Sequence, residues 1–387
     1  MPENKIPGVH VEEIQAGSKP IEGVSTSCAG FVGAAKRDSV PIGEPTLITS
    51  WDQFVEKFGR FNKDKAPFLP PAVYGFFSNG GKRCYIVRVK ESAEDVDYVG
   101  TARGSRGKTG LLALSDIDNV SIICVPGITS NVVQRAMIEH CKEKGNRFCI
   151  LDPPRKAVVV VIKKHRDNLV SEKGFGALYY PWIKVSIETT ENDRVKLIQD
   201  FVPPSGYIAG VYSRNDMEHG VWKAPANAII RGATDVEFDL PEKVQEELNL
   251  TGINCIRNLG EGVIYVWGAR TLALDAQWKY VSVRRLCIFI EESIYRGTKW
   301  VVFEPNNEPL WARVRANIAQ FLISVWKDGA LMGTNPEDAF FVQCDRRTMT
   351  QNDIENGRLI ILVGIAPVKP AEFIFIKISH KVGQVAT

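Results

Sequence analysis

Residues 120–151 read VSIICVPGITSNVVQRAMIEHCKEKGNRFCIL, and the change of pattern within this stretch decides the class of fold. The runs Val120–Val125 and Phe148–Leu151 are short and mostly apolar, which is typical of buried strands. The segment between them, Val132–Lys144, has the pattern of a helix. A strand, a helix and a second strand in succession predict an α/β layer domain.

Similar elements extend this pattern along the chain. Further buried-type strands are predicted at Cys84–Val89 and Ala177–Val185. After Asn227 the pattern changes, and we predict a second domain with α+β elements. Its predicted elements are, in chain order, a helix at Glu242–Asn249, strands at Ile253–Ile256 and Val263–Trp267, and long helices at Tyr280–Tyr295 and Trp311–Trp326.

The last predicted helix has two different faces. Its apolar side chains recur at helical spacing and predict a side that packs against the core. Its far side carries Arg313, Gln320 and Lys327 along one stripe, and no acidic residue occurs between Trp311 and Lys327. This basic stripe favours contact with an acidic protein surface or with solvent. The stripe and the pair Arg284-Arg285 lack the interleaved aromatic residues that are typical of nucleic-acid binding.

Both ends of the chain have the composition of extended arms. Residues up to about Ile21 alternate proline, glycine and charge around a short β-type pattern at Val9–Glu12. Near the other end, Phe373–Ile378 reads FIFIKI, a β-prone run that is apolar on both faces. A strand that is apolar on both faces must be covered by something.

Composition disfavours several classes of protein. The 387 residues include 48 basic and 45 acidic ones, so a net charge of +3 implies no global attraction to nucleic acid or to an anionic membrane. No apolar run reaches the roughly 18 residues that span a bilayer, and the first residues lack a secretory pattern, so we expect a cytosolic chain. The eight cysteines are scattered without CxxC spacing, which predicts reduced core thiols and no metal site.

One motif favours a nucleotide hydrolase. The segment Ala102–Thr109 reads ARGSRGKT and satisfies a relaxed Walker A pattern, and Asp152 follows an apolar strand as in Walker B. The segment that leads into the loop, Glu91–Tyr98, is acidic and poorly apolar, which disfavours a phosphate cradle. We therefore interpret this motif as a solvated loop and keep the P-loop hydrolase as the alternative function.

A second candidate is a hydrolase triad of Ser213, Asp216 and His219 in the segment SRNDMEHG. No GxSxG elbow is present, and the three residues fall within one short polar segment. We interpret the segment as a surface loop, and we predict no catalytic residue and no cofactor.

Several segments, read in order, resemble the tail sheath family of contractile phages and extracellular injection systems. The resemblance covers nearly the whole chain, and its specificity lies in the series rather than in one motif. The segments include PGVHVEEI (7–14), GVSTSCAGFVGAA (23–35), LITSWDQFVEKFG (47–59), FCILDPP (148–154), PPSGYIAGVYSRNDMEHGVWKAPAN (203–227) and PAEFIFIKI (370–378).

The resemblance implies a structural subunit that forms hexameric rings, which stack as a six-start helical sleeve around an inner tube. Its other expected partners are baseplate and tail terminator proteins, with no nucleic acid and no membrane insertion. The particle would be assembled in the cytoplasm of the producing bacterium and become part of a phage tail or a released extracellular particle. A tube or baseplate component of the same machine is a further reading, although a tube protein would be much shorter.

The resemblance also implies a division of the chain and a set of contact residues. We expect an N-terminal linking arm (1–22), an outer α/β domain (23–227), an inner, tube-facing domain (228–369) and a C-terminal linking arm (370–387). The arms would add strands to a sheet of a neighbouring subunit. The arm residues expected to do so are Val9, Val11, Ile14, Phe373, Ile374, Phe375, Ile376 and Ile378. The stripe Arg313, Gln320 and Lys327 is the candidate tube-facing surface.

Overall fold

A computed structural model describes residues 20–102, 107–191, 194–260 and 262–372 of the chain. The described residues form fourteen strands and twelve α-helices. The strands are β1 Ala29–Ala34, β2 Pro45–Ile48, β3 Cys84–Val89, β4 Ile122–Cys124, β5 Phe148–Leu151, β6 Gly176–Tyr180, β7 Ile183–Glu191, β8 Arg194–Val202, β9 Ala228–Ile229, β10 Ala233–Val236, β11 Ile253–Asn258, β12 Ile264–Val266, β13 Phe340–Gln343 and β14 Leu362–Ile365. The helices are α1 Trp51–Phe58, α2 Leu69–Ser78, α3 Asp95–Val99, α4 Gly110–Ala113, α5 Asn131–Lys144, α6 Val159–Asp167, α7 Ser205–His219, α8 Glu242–Leu250, α9 Val281–Gly297, α10 Glu308–Lys327, α11 Pro336–Ala339 and α12 Gln351–Glu355.

The largest sheet has nine strands in the order β2-β3-β1-β4-β5-β6-β11-β12-β9. Its six inner strands, from β3 to β11, pair in parallel, and β2, β12 and β9 join at the two ends in antiparallel fashion. Strands buried on both faces read as continuous apolar runs, which is why β3, β4 and β5 were recognisable in the sequence. The predicted α/β class and the elements β3, β5 and α5 are confirmed.

The predicted strand Ala177–Val185 is two strands in the structure. β6 ends at Tyr180 in the large sheet, and β7 begins at Ile183 in a separate three-stranded sheet of order β10-β7-β8. The bond between Tyr180 and Pro181 is cis. Apolar residues continue through the junction because both strands bury their side chains, so hydropathy alone did not reveal the break.

The described residues divide into two compact units. The first, called the body here, comprises Gly23–Glu292 and residues 367–372; the second, the C-terminal unit, comprises residues 20–22 and Ser293–Ala366. The predicted boundary after Asn227 does not match this division. β11 pairs in parallel with β6, so residues on both sides of Asn227 belong to the same sheet and the same core.

Within the body, helices α2 and α7 pack with almost no space between their backbones. A Cβ on Gly206 would lie 2.3 Å from the carbonyl oxygen of Ala72, and a Cβ on Gly75 would lie 2.2 Å from the ring of Tyr207. Only glycine permits this approach. α7 is consequently buried along most of its length.

All eight cysteines lie in the described residues, and each is a buried, free thiol. Among the described residues, no group of three or more histidine, cysteine or acidic side chains could hold a metal ion. No helix in the described ranges has the length and apolar character needed to cross a bilayer.

Candidate inter-subunit surface

The C-terminal unit contains a sheet of only two strands within the described ranges. β13 and β14 pair antiparallel, with Phe340 opposite Ile365 and Gln343 opposite Leu362. Phe341 and Leu362 remain 48% and 50% exposed, respectively. Two strands alone are marginally stable, and a strand edge is a template on which another chain can pair. The sheet therefore has the character of an incomplete element.

An open groove of about 630 Å³ runs beside β13. Its wall on α10 is made mainly of small side chains, which leave room for the backbone of another segment. The groove is lined chiefly by Ala312, Ala316, Ala319 and Ile323 of α10 and by Phe340, Phe341 and Val342 of β13.

Backbone and side-chain hydrogen bonds fix the small sheet within its unit. The Ala366 amide donates to the carbonyl of Ala339 at 2.8 Å, and the Met332 amide donates to the carbonyl of Ala366 at 2.7 Å. Arg315 of α10 donates to the carbonyl of Cys344 at 2.6 Å. These contacts hold the two strands against α10 and leave the groove open.

The stripe predicted on α10 lies on its exposed side. Arg313, Gln320 and Lys327 are all exposed and are spaced seven residues apart, so they share one face of the helix. Arg313, however, pairs with Glu304 at 2.9 Å and stacks over Trp300 at 5.3 Å. Lys327 has no ion pair within the described part of the chain, so it carries the larger share of free positive charge.

The predicted arm residues cannot be assigned a structural position. Val9, Val11 and Ile14 lie outside the described residues, as do Phe373, Ile374, Phe375, Ile376 and Ile378. Their pairing with a neighbouring sheet remains a prediction.

Comparison with known proteins places this unit and the body in one family. Family models match the phage tail sheath protein central domain over residues 107–272 and the phage tail sheath C-terminal domain over residues 274–381. The sheath complex of the extracellular contractile injection system PVC, in its contracted state, contains a chain that is 32% identical and superimposes with a TM-score of 0.80, covering 97% of this chain and 98% of that one. The chain belongs to the phage tail sheath family.

Other members of the sheath family agree with this assignment. The contracted helical sheath of the anti-feeding prophage is 32% identical, with a TM-score of 0.79 over 97% of this chain and 99% of that one. A prophage major tail sheath protein of Pseudomonas aeruginosa is 24% identical over 385 residues, covering 94% of both chains. The predicted resemblance, the mixed α/β fold and the contractile sheath function are confirmed.

The described residues that adjoin the Walker-like segment do not have the arrangement of a phosphate site. Residues 103–106 lie outside the described ranges, while Lys108 pairs with Asp116 at 2.6 Å. The helix that follows, α4, has only four residues. None of the comparisons supports a nucleotide hydrolase.

Asp152, the proposed Walker B carboxylate, is a buried structural residue. Its two oxygens accept the amide of Ser205 at 2.8 Å, the hydroxyl of Ser205 at 2.7 Å and the amide of Gly127 at 3.0 Å. Burial raises its pKa to about 6, against the opposing effect of these hydrogen bonds. Asp152 thus fastens the first turn of α7 to the end of β5.

The candidate triad is also structural, and the surface-loop interpretation of its segment was wrong. Ser213, Asp216 and His219 all lie on helix α7. Ser213 is fully buried and donates to the carbonyls of Ala209 and Ser27, whereas His219 is exposed. The segment looked like a loop because its polar residues find buried partners that the local sequence does not show.

The pair Arg284-Arg285 is buried rather than exposed, so it is not a nucleic-acid surface. Arg285 holds Asp216 with two hydrogen bonds of 2.9 and 2.6 Å. Arg284 stacks between Phe175 and Trp278, at 4.6 and 4.5 Å from their ring centres. The sequence contained one signal for this role: both arginines lie on a helix whose other residues are mostly apolar.

Proposed function

We propose that this sheath chain is the subunit of a six-start helical sleeve that surrounds an inner tube and drives it through a target envelope. The observation that carries the proposal is the two-stranded sheet β13–β14, which has exposed apolar side chains and an open groove beside it. Such a sheet is suited to receive strands from other copies of the chain.

The linking segments in this proposal are the two arms. Residues 8–14 and 372–379 of neighbouring subunits add strands to β13–β14, so that each subunit is joined to others by backbone hydrogen bonds. Each bond contributes about 0.5–1.5 kcal/mol net, and the apolar side chains of Phe373–Ile378 add burial energy. Several bonds per strand keep the lattice connected while the folded parts move past one another.

Contraction then proceeds without nucleotide hydrolysis and without catalysis. The extended sleeve is a kinetically trapped state, held in part by its contacts with the tube and the baseplate. Contacts with the tube must be weak enough to break during the stroke. Exposed ion pairs, worth about 0–1 kcal/mol each and sensitive to salt, meet that requirement.

The tube contact is assigned to the exposed stripe on α10. Gln320 offers a polar group and Lys327 a positive charge. Arg313 adds a second positive charge, which its ion pair with Glu304 partly neutralises. Baseplate and tail terminator proteins are the proposed partners at the ends of the sleeve; two structures of the anti-feeding prophage baseplate contain chains similar to this one, at 30% and 29% identity. The particle is assembled in the cytoplasm and acts as part of a phage tail or after release.

Filling the groove tests the proposal. Ala316→Trp places a large ring in the groove from an exposed helical position, so the monomer should fold normally but fail to form sleeves in negative-stain micrographs. Ala316→Ser is the matched control, because it changes the same position and leaves the groove open. Sleeves of normal length and number from Ala316→Trp would show that this groove does not receive a strand.

A further inference from the structure

A cluster of charged and polar side chains surrounds Glu372, which directly precedes the FIFIKI run. Arg270 holds the Glu372 carboxylate with two hydrogen bonds of 2.8 and 2.6 Å. Lys279 lies 3.2 Å from the same carboxylate, and the Tyr280 hydroxyl donates to it at 3.1 Å. A bidentate arginine pair with two further partners fixes both the position and the direction of the acidic side chain.

The Arg270 side of this cluster is built into the body. Arg270 is 5% exposed and also donates to the carbonyl of Asn249 at 2.7 Å. Its own amide donates to the side chain of Asn254 at 2.6 Å, and Asn254 is a fully buried residue of β11. Through these bonds Glu372 is connected to the large sheet of the body.

Residues 367–372, called the C-terminal root here, are half-buried or exposed, and residues 368–372 line a groove of about 730 Å³ on the body. Other walls of this groove include Trp222, Trp267 and Tyr280. The root is therefore seated along a surface and ends in the Glu372 cluster.

A second cluster of polar side chains holds residues near the N-terminal end of the chain. Thr26 donates from its hydroxyl to Asp216 at 2.6 Å, and its carbonyl accepts from Arg285 at 2.9 Å. Asp216 and Arg285 are themselves a buried pair, with side chains only 5% and 3% exposed. Residues 23–26, called the N-terminal root here, are thus fastened to helices α7 and α9.

Both clusters include residues at or just before the beginning of α9. Lys279 and Tyr280 directly precede its first residue, Val281, and Arg285 lies one turn further along. Tyr280 and Arg285 are five positions apart, which at helical rise corresponds to about 7.5 Å along the axis. Both roots are consequently fixed to the same short piece of the body.

We propose that the Glu372 and Asp216 clusters are anchors that hold the roots of the two arms to the start of α9, so that a pull on either arm is delivered to the core of the body. This inference rests on the proposed strand exchange. The side chains concerned are positioning residues: they fix residues 23–26 and 367–372 on the body, and the two arms continue from these fixed segments.

Glu372→Gln is the direct test, because it keeps the shape of the side chain and removes its charge. Amide hydrogen exchange of Val368, Lys369, Ala371 and Glu372 in the unassembled full-length chain should become about tenfold faster, which corresponds to losing charge-assisted bonds. The melting temperature should stay close to that of the unaltered chain, while sleeves should be fewer and shorter. Glu246→Gln, at an exposed position of α8, is the control and should change none of these quantities.

Two further variants complete the test. Glu372→Asp keeps the charge and should restore part of the protection and part of the sleeve yield. Thr26→Val removes one hydrogen bond from the other anchor, leaves the Asp216–Arg285 pair intact, and should reduce sleeve yield with a normal melting temperature.

Three other outcomes of these experiments would contradict the proposal. Unchanged exchange at residues 368–372 in Glu372→Gln would show that the cluster does not hold the root, and normal sleeves despite faster exchange would show that the anchor does not serve assembly. A large fall in melting temperature without a selective local change would assign the cluster to general stability and overturn the proposal. Because exchange is measured on unassembled chains, failure of strand exchange itself would be seen separately, in the groove variant Ala316→Trp.

Discussion

Asp216 is a residue whose role is defined by its tertiary neighbours and not by the residues next to it in the chain. In the sequence it stands between a serine and a histidine, as in a triad, but in the structure it binds Arg285 and Thr26. Both partners lie far away along the chain. Asp152 follows the same rule, because the amides that occupy its oxygens come from Gly127 and Ser205. Motifs of polar residues were recognisable from the sequence, while their partners were not.

Gly206 provides a prediction about packing. Gly206→Ala should destabilise the chain by about 1–3 kcal/mol, because the new methyl group meets the backbone of Ala72 on the facing helix and neither helix has space to yield. The shift in denaturation midpoint measures this cost. A denaturation midpoint for Gly206→Ala equal to that of the unaltered chain would contradict the packing argument.

Glu372 provides a prediction about pH. Partial burial alone would raise the pKa of Glu372, but the hydrogen bonds and charges of Arg270 and Lys279 outweigh it and lower the pKa below its ordinary value of 4.5. A lowered acid pKa stabilises the folded contact above pH 4.5, and this stabilisation is lost as the pH falls through the folded-state value.

The protection of the amides of Val368, Lys369, Ala371 and Glu372, measured relative to their intrinsic exchange rates at each pH, should therefore fall in the unaltered chain only when the medium is acidified below pH 4.5. In Glu372→Gln the same amides should already have low protection at neutral pH, and acidification should not lower their protection further. The groups that face Glu372 are Arg270, Lys279 and Tyr280. An equal loss of protection on acidification in both proteins would contradict this origin.

Helices and strands differ in how far the sequence could define them. β3 and β5 were predicted at their observed bounds because local apolar runs bounded by turn residues are sufficient evidence for buried strands. The bounds of α9 and α10 were predicted within a few residues for a similar reason. α7 was missed because Arg214, Asn215 and Asp216 are polar yet buried, and their partners include Asn79, Lys223 and Arg285. The small sheet β13–β14 was not predicted at all, since four-residue strands give too short a pattern.

The stripe on α10 provides a prediction at this scale. Lys327→Glu should leave the melting temperature of the chain unchanged and weaken its association with assembled inner tubes, with the loss greatest at low salt. Co-sedimentation of sheath with tubes measures the effect. Arg313→Glu is the contrasting variant: it also breaks the pair with Glu304 and so should lower stability slightly. Equal binding by Lys327→Glu and the unaltered chain at low salt would remove the stripe from the tube contact.

At the scale of the whole molecule, the division into units was the least predictable feature. The boundary lies within α9, between Glu292 and Ser293, whereas the sequence pattern changes near Asn227. A change in composition marks where one kind of element replaces another, but sheet pairing decides which elements share a core. β11 and β12 follow the change and still complete the large sheet.

The absence of nucleotide chemistry from the proposed mechanism gives a prediction for the entire particle. Lys108→Ala removes only a surface pair with Asp116, so sleeve assembly and contraction should be unchanged, and stability should fall by about 0–1 kcal/mol at most. Contraction triggered by mild denaturant and viewed by microscopy measures this. Loss of contraction in Lys108→Ala with a normal melting temperature would revive the P-loop alternative.

The burial of all eight cysteines has a practical consequence for watching such a particle at work. Burial raises the pKa of Cys28 and Cys287 to about 11 and that of Cys255 to about 12, so these thiols stay protonated and weakly nucleophilic at neutral pH. Maleimide dyes should therefore leave the native chain largely unlabelled. A single cysteine introduced on the surface would then be the preferred attachment point for a fluorophore, without first removing the natural ones, and the stroke could be followed by the light it emits.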